Sequence, residues 1–291
     1  MSGQAAARTV TAVGGRTGTR LAGRASLVGG AILGLFVAGA VFAPLLAPYD
    51  PWEPGTAFLG PGPAHLLGTN DIGQDIFSEL VYGARVSLLV GFLAAAVSVG
   101  IGTLVGLFSG YLRGVADEAL MGLTDVVLVV PALPLMIILA AHLRPGIWNI
   151  VVVIGALWWT STARVVRSRV LQLREMPFVL AARAMGLGDA YVVFRHVMPN
   201  VRHVLFAMFV PTIAGAMLTE ASLSFLGLGD PLQKSWGMML NYAFSRGGFL
   251  NGCWWWYLPP GLCISLSVLG FMLVGFGLEE RERGRRGPWQ K

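Results

Sequence analysis

Charged residues fall along this chain in separated groups, and the stretches between them are almost wholly apolar. No charged side chain lies between Arg24 and Asp50, Arg85 and Arg113, Asp125 and Arg144, Arg144 and Arg164, Arg202 and Glu220, or Arg246 and Glu279. A helix needs about 20 mostly apolar residues to cross a bilayer core. The gaps meet that length once the third is extended back over Ala119–Thr124 and the fifth forward over Ala221–Gly229; within the last, Leu258–Gly277 is the span. The pattern predicts an all-α membrane protein of six spanning helices. The first run, centred on Val28–Leu46, is too long for the apolar core of a secretory signal. The segment Ala43-Pro-Leu-Leu-Ala-Pro48 is also a poor cleavage site, so a retained helix is expected.

Composition supports this class. Of 291 residues, 55% are hydrophobic and 12% charged, against about 25% charged in a soluble domain, and the mean hydropathy is +0.67. A net charge of +6 would suggest nucleic acid in a soluble protein. Here it points to basic segments on the cytoplasmic side of a membrane, with no nucleic-acid partner. Two cysteines make neither a disulfide framework nor a zinc cluster.

Orientation follows from the same charges. The start carries Arg8, Arg16, Arg20 and Arg24. The stretch between helices four and five carries Arg164, Arg167, Arg169, Arg174, Arg183, Arg195 and Arg202, and the end carries Arg281, Arg283, Arg285, Arg286 and Lys291. The first loop, Tyr49–Ala84, has five acids and no lysine or arginine. Both termini are therefore expected in the cytoplasm. The predicted organisation is a cytoplasmic tail over 1–25, a first helix over 26–47, an external loop over 48–84, a five-helix core over 85–279 and a cytoplasmic tail over 280–291. The tails, rich in Gly, Ser, Thr and Arg, are expected to be disordered or to lie on the membrane surface.

The most informative stretch is the cytoplasmic segment 164–202, long for a connection in a compact domain. Pro177 can open a helix over Phe178–Met185, with Ala181, Ala182 and Ala184 giving it a slim face. Gly186 and Gly188 break it, Asp189 can cap a second short helix over Ala190–Val197, and Pro199-Asn200 can end that one. Two short helices around a glycine corner suit docking into a partner. A loop lying on lipid headgroups suits the same residues.

The run Phe178-Val-Leu-Ala-Ala-Arg-Ala-Met-Gly186, followed by Phe194-Arg-His-Val-Met-Pro-Asn200, resembles the "EAA" loop of permease subunits of ATP-binding-cassette importers. Ala181, Ala182, Gly186 and Pro199 match its type and spacing, while Leu180 stands where the family has glutamate. His65-Leu-Leu-Gly-Thr-Asn-Asp-Ile-Gly-Gln-Asp75, Tyr82-Gly-Ala-Arg-Val-Ser-Leu88, Thr219-Glu-Ala-Ser-Leu-Ser-Phe-Leu-Gly-Leu-Gly229, Ser235-Trp-Gly237 and Trp254-Trp-Trp-Tyr-Leu-Pro-Pro-Gly261 resemble the C-type permeases of dipeptide, oligopeptide and nickel importers. The resemblance covers roughly residues 26–280. It implies a type-I importer permease fold in a bacterial or archaeal inner membrane. It also implies a second, paralogous permease, two cytoplasmic ATPases and an external substrate-binding protein. Ala181, Ala182, Arg183, Gly186, Asp189, His196 and Pro199 would then couple to the ATPases. Glu279-Glu-Arg-Glu-Arg departs from the family's usual ending.

No ATP site is expected in the chain itself. The nearest string to a phosphate loop, Gly229-Asp-Pro-Leu-Gln-Lys-Ser235, lacks the second glycine and any preceding strand. No metal motif occurs, so no cofactor is expected to bind directly and ATP is used by partner subunits. Carboxylates inside spans are functional candidates. Asp125 and Glu220 qualify, although each lies near a helix end and suits pairing within the bundle. Pro131, Pro134 and Pro211 are expected to kink helices three and five, and such kinks could line a translocation path or only pack. Ser98, Gly100, Gly102, Gly106 and Gly110 form a ladder that permits close helix contact. Trp158-Trp159 and Trp254–Trp256 are expected at the membrane interfaces. The leading reading is a non-catalytic permease subunit of a di- or oligopeptide importer. Nickel or another small ligand is the alternative within the class, and an ion-coupled secondary transporter the alternative outside it.

Overall fold

The structure, a computed structural model, describes the backbone of residues 3–285 and the side chains of residues 22–280. Among the described residues its regular elements are all helices, joined by loops of which residues 47–75 are the longest, with an isolated bridge between Thr69 and Asp75. The long helices are α1 (Gly3–Val41), α3 (Ile76–Leu112), α6 (Ile147–Arg174), α9 (Met198–Phe225) and α11 (Trp254–Arg285). Shorter ones are α2 (Ala43–Leu46), α4 (Gly114–Val129), α5 (Ala132–His142), α7 (Pro177–Ala184), α8 (Asp189–Val192) and α10 (Trp236–Ser245). Among the described residues five segments are long and apolar enough to span a membrane, and α4 with α5 makes a sixth if counted as one broken span.

That broken helix is the main departure from six simple rods. The chain turns by 87° between α4 and α5. Val130 has ψ 128° and Pro131 has ψ 117°, both extended. The residue before a proline is pushed out of the helical region by the ring, and the proline has no N–H to continue the ladder. Pro134 does not kink anything, because it sits in the first turn of α5, where an absent N–H costs nothing. Pro211 lies inside α9, which runs through it uninterrupted.

Helix α3 is the central element, and the glycine ladder explains how closely α6 approaches it. A Cβ built at Gly102 would lie 2.5 Å from the Trp159 carbonyl oxygen, one at Gly106 2.6 Å from that of Ala163, and one at Gly110 2.8 Å from Val170 Cβ. The backbones meet where side chains are missing, which is how apolar helices gain packing without a hydrophobic driving force. Gly100 faces open space and is not on this face. Helices α1 and α11 meet in the same way: a Cβ at Gly29 would lie 2.6 Å from the Gly270 carbonyl oxygen.

One expectation is narrowed and one corrected here. The backbone is helical from Gly3 to Gly23 and from Glu280 to Arg285, within the segments that composition assigned to tails. Extending an existing helix adds a hydrogen bond for each residue fixed. Residues 1–2 and 286–291 of those tails lie outside the described residues. The tryptophans are not all interfacial anchors. Trp159 and Trp256 are buried, Trp158 packs over Gly215, and Trp254 is the exposed one.

At the end where α3 begins, residues 48–75 are fastened by polar contacts. The Asp75 carboxylate accepts from the Ser78 backbone N–H at 2.8 Å, capping α3, and from His65 Nδ1 at 2.9 Å. Buried Glu79 pairs with Lys234 Nζ at 2.5 Å, and Lys234 also reaches Gln74 Oε1 at 2.7 Å. Gly73, with φ +84°, crosses Gly55 so closely that no Cβ fits.

Candidate functional site

The loop between α6 and α9 is shorter than charge alone implied. Residues 164–174 belong to α6, and the π-helical turn Val193–Val197 leads directly from α8 into α9. What projects is α7, a corner and α8. Pro177 opens α7 as expected. The turn at Gly186 has φ +77°, a conformation that glycine adopts without steric cost. Gly188 is extended, with φ −61°, and occupies the N-cap of α8.

Three expectations for this loop differ from the structure. Asp189 is the first residue of α8 rather than its cap, and its Oδ1 accepts from the Tyr111 hydroxyl of α3 at 2.8 Å. Pro199-Asn200 ends no helix. Pro199 directly follows the π turn, inside a run that stays helical from Asp189 to Phe225. The alanine face is divided: Ala181 and Ala184 are exposed, whereas Ala182 is 1% exposed and packs inward with Val179, so it holds the projection instead of presenting it. His196 is half-buried in the π turn, its ring 5.8 Å from that of Tyr191.

The projection is braced from within. Val179, Ala182, Val192, Val193 and Val197 form one apolar cluster with Val166, Val170 and Leu173 of α6 and with Leu107 and Tyr111 of α3. Around it are ionic contacts. Arg167 forks onto Asp117 with two bonds of 2.6 Å, Ser109 donates to the same carboxylate, and Arg113 reaches Glu175 at 2.6 Å. Arg183 is exposed, but its guanidinium leans over the Tyr111 ring at 5.5 Å. Outward-facing side chains include Phe178, Leu180, Ala181, Met185 and Tyr191. The arrangement is a stiff knob with a largely apolar outer face.

The second feature is a cavity of about 910 Å³ between the α4–α5 elbow and helices α6, α9 and α11. Pro131 and Pro211 line it with Trp158, Met208, Thr212 and Phe276. Asp125, Pro134 and Glu220 do not. Asp125 is exposed and paired with Arg164 at 2.6 Å. Glu220 is buried at the far end of α9, accepting from Ser224 Oγ at 2.7 Å, with the Ser87 and Ser235 hydroxyls nearby and Oε2 left without a hydrogen bond. Sequence reasoning missed Tyr111 and Asp117 altogether. Their partners are 78 and 50 residues away, and the only local signal was that each stands at the charged end of an apolar run.

A multi-helix membrane subunit with a braced knob and a helix-lined cavity is the class these features define. Residues 102–281 match the family described as binding-protein-dependent transport system inner membrane component, and residues 23–61 match the N-terminal transmembrane domain of oligopeptide transport permease C. The dipeptide transport system permease protein DppC of Alkalihalophilus pseudofirmus is 36% identical over 88% of this chain and 84% of its own. The oligopeptide transport system permease protein OppC of Bacillus subtilis is 34% identical with the same shares. The glutathione transport system permease protein GsiD of Pectobacterium atrosepticum is 37% identical over 84% of this chain and 82% of its own. The chain belongs to the inner-membrane permease components of binding-protein-dependent transport systems, in the ATP-binding-cassette importer class.

Proposed function

We propose that this permease imports peptides and that its 175–197 knob receives the motion of two cytoplasmic ATPase subunits. The observation that carries the reading is the knob itself. Its inner side is locked by buried Val179, Ala182, Val192 and Val197, while on its outer face Phe178, Leu180, Ala181 and Met185 are exposed among the described residues. A lever needs both properties, stiffness behind and a free contact surface in front, so that closure of a partner biases the membrane helices between two states. In this reading both termini and the knob are cytoplasmic, in accord with the arginines of α6 and α7. The first loop then faces an external binding protein. A second permease, a paralogue of this chain, closes the open side of the cavity, and Pro131 and Pro211 line the path. ATP is bound and hydrolysed by the ATPases, with no cofactor held here.

Peptides are favoured over nickel because the relatives above are named for dipeptides, oligopeptides and glutathione, itself a small peptide. An ion-coupled transporter is disfavoured by the two carboxylates it would need. Asp125 is engaged at the surface by Arg164 and Glu220 is enclosed by serines, so neither sits in the cavity as a relay; the carboxylate that does line it, Glu279, stands at the end of the α11 span and not at its middle. The test is uptake of a labelled dipeptide into vesicles holding the chain with its partner subunits. Uptake that requires ATP and the binding protein is the expected result. Uptake driven by a proton gradient through this chain alone contradicts the proposal.

A further inference from the structure

The knob is covalently continuous with α6 and, through the π turn, with α9, but not with α3, the helix around which the molecule is built. Any displacement of the knob reaches α3 only across non-covalent contacts. Within the apolar cluster behind the knob, α3 contributes Leu107 and Tyr111. Leu107 can slide, because dispersion contacts are non-directional. Tyr111 cannot slide so freely. It is 2% exposed, and its hydroxyl donates to Asp189 at the start of α8 at 2.8 Å. Its ring lies 5.7 Å from the Arg174 guanidinium at the end of α6 and 5.5 Å from that of Arg183 at the end of α7. Arg174 also donates to the Tyr111 backbone carbonyl. One residue thus contacts α6, α7 and α8 together. A second polar link on this side, Arg113 to Glu175, has both side chains largely exposed, and such pairs contribute little; a third, from Ser109 of α3 to the Asp117 carboxylate held by Arg167, ends on α6 and does not touch α7 or α8.

Helix α3 also has something to move. Its 37 residues extend about 55 Å at 1.5 Å per residue. At the opposite end Glu79 holds Lys234, the Ser87 hydroxyl accepts from the Trp236 backbone N–H at 3.2 Å, and the Trp236 indole donates to the Leu80 carbonyl at 2.9 Å. The start of α10 and the loop before it are fastened to α3.

We propose that Tyr111 is the positioning residue that pins the knob to α3, so that ATPase-driven movement of α7 and α8 is delivered through its hydroxyl to Asp189 and along α3 to the α10 end. The inference rests on the coupling role proposed above for the knob. Tyr111→Phe keeps the ring over both arginines and removes only the bond to Asp189. In vesicles holding the complete importer, uptake, ATP hydrolysis and the amount of ATPase bound per permease are measured on the same sample. The expected result for Tyr111→Phe is normal ATPase binding with a rise of about two- to tenfold in ATP hydrolysed per peptide, the equilibrium weight of one hydrogen bond. Asp189→Ala should show a similar rise, and the double variant should be no worse than the more impaired single one.

A wild-type ratio of ATP to peptide in both single variants, with normal ATPase binding, overturns the pin and leaves the knob's coupling role standing. A loss confined to the amount of assembled complex, at a wild-type ratio per complex, also overturns it, since that is what a purely structural contact gives. Failure of the parent reading reads differently: the unsubstituted chain would transport without any ATPase bound to it.

Discussion

At the residue scale, the positions that matter most are those where a backbone angle or a single polar atom has no substitute. Gly186 is such a position, with φ +77° and open space around its missing side chain. A residue with a Cβ costs roughly 1–2 kcal/mol there, small against the roughly 5–15 kcal/mol that holds a domain together. Gly186→Glu should therefore reach the membrane at near-normal levels, yet add a charge and bulk beside the apolar outer face. Dipeptide uptake should fall at least tenfold, measured with membrane levels in parallel; wild-type uptake would mean that this corner contacts nothing. That glycine was legible in the sequence, because a glycine after a short alanine-rich helix signals a turn. Asp189 was legible only as a cap. Local statistics favour aspartate at helix starts, but the side chain is used by a tyrosine 78 residues earlier. Arg113 gave no signal: it holds φ 58° and ψ −171°, a region in which side chains are strained, at the turn between α3 and α4.

At the element scale, the apolar runs located the long helices because a spanning helix satisfies its own backbone and needs only length and composition. The break in the third was half legible. Pro131 announced a disturbance, but an 87° elbow depends on what packs on either side. The glycine ladder was legible as a packing face but not in its membership, since period alone could not exclude Gly100. This gives a paired expectation. Gly106→Leu must displace the Ala163 carbonyl and Val166, and overpacking of this kind costs about 1–3 kcal/mol or more. The variant should show a lower melting temperature in detergent and reduced membrane levels. Gly100→Ala should keep membrane levels and show a melting temperature no lower than that of the unsubstituted protein, because its Cβ meets nothing and alanine favours a helix interior. Equal behaviour of the two variants would contradict the α3–α6 contact described here.

At the scale of the whole molecule, the sequence pattern placed the family and the knob, and left the wiring between them dark. The pairs Tyr111–Asp189, Asp117–Arg167 and Glu79–Lys234 join segments 78, 50 and 155 residues apart, and no hydrophobic period encodes such partners. What emerges is a molecule with a stiff knob at one end, a polar lock at the other and α3 running between them. The central claim is that the knob's outer face seats an ATPase. A photo-activated cross-linker attached at Ala181→Cys on that face, in membranes holding the assembled importer, tests it most directly, with Leu35→Cys on the exposed side of α1 as the comparison. The account predicts ATPase adducts from position 181 and lipid adducts alone from position 35. Lipid adducts alone from both positions would contradict it.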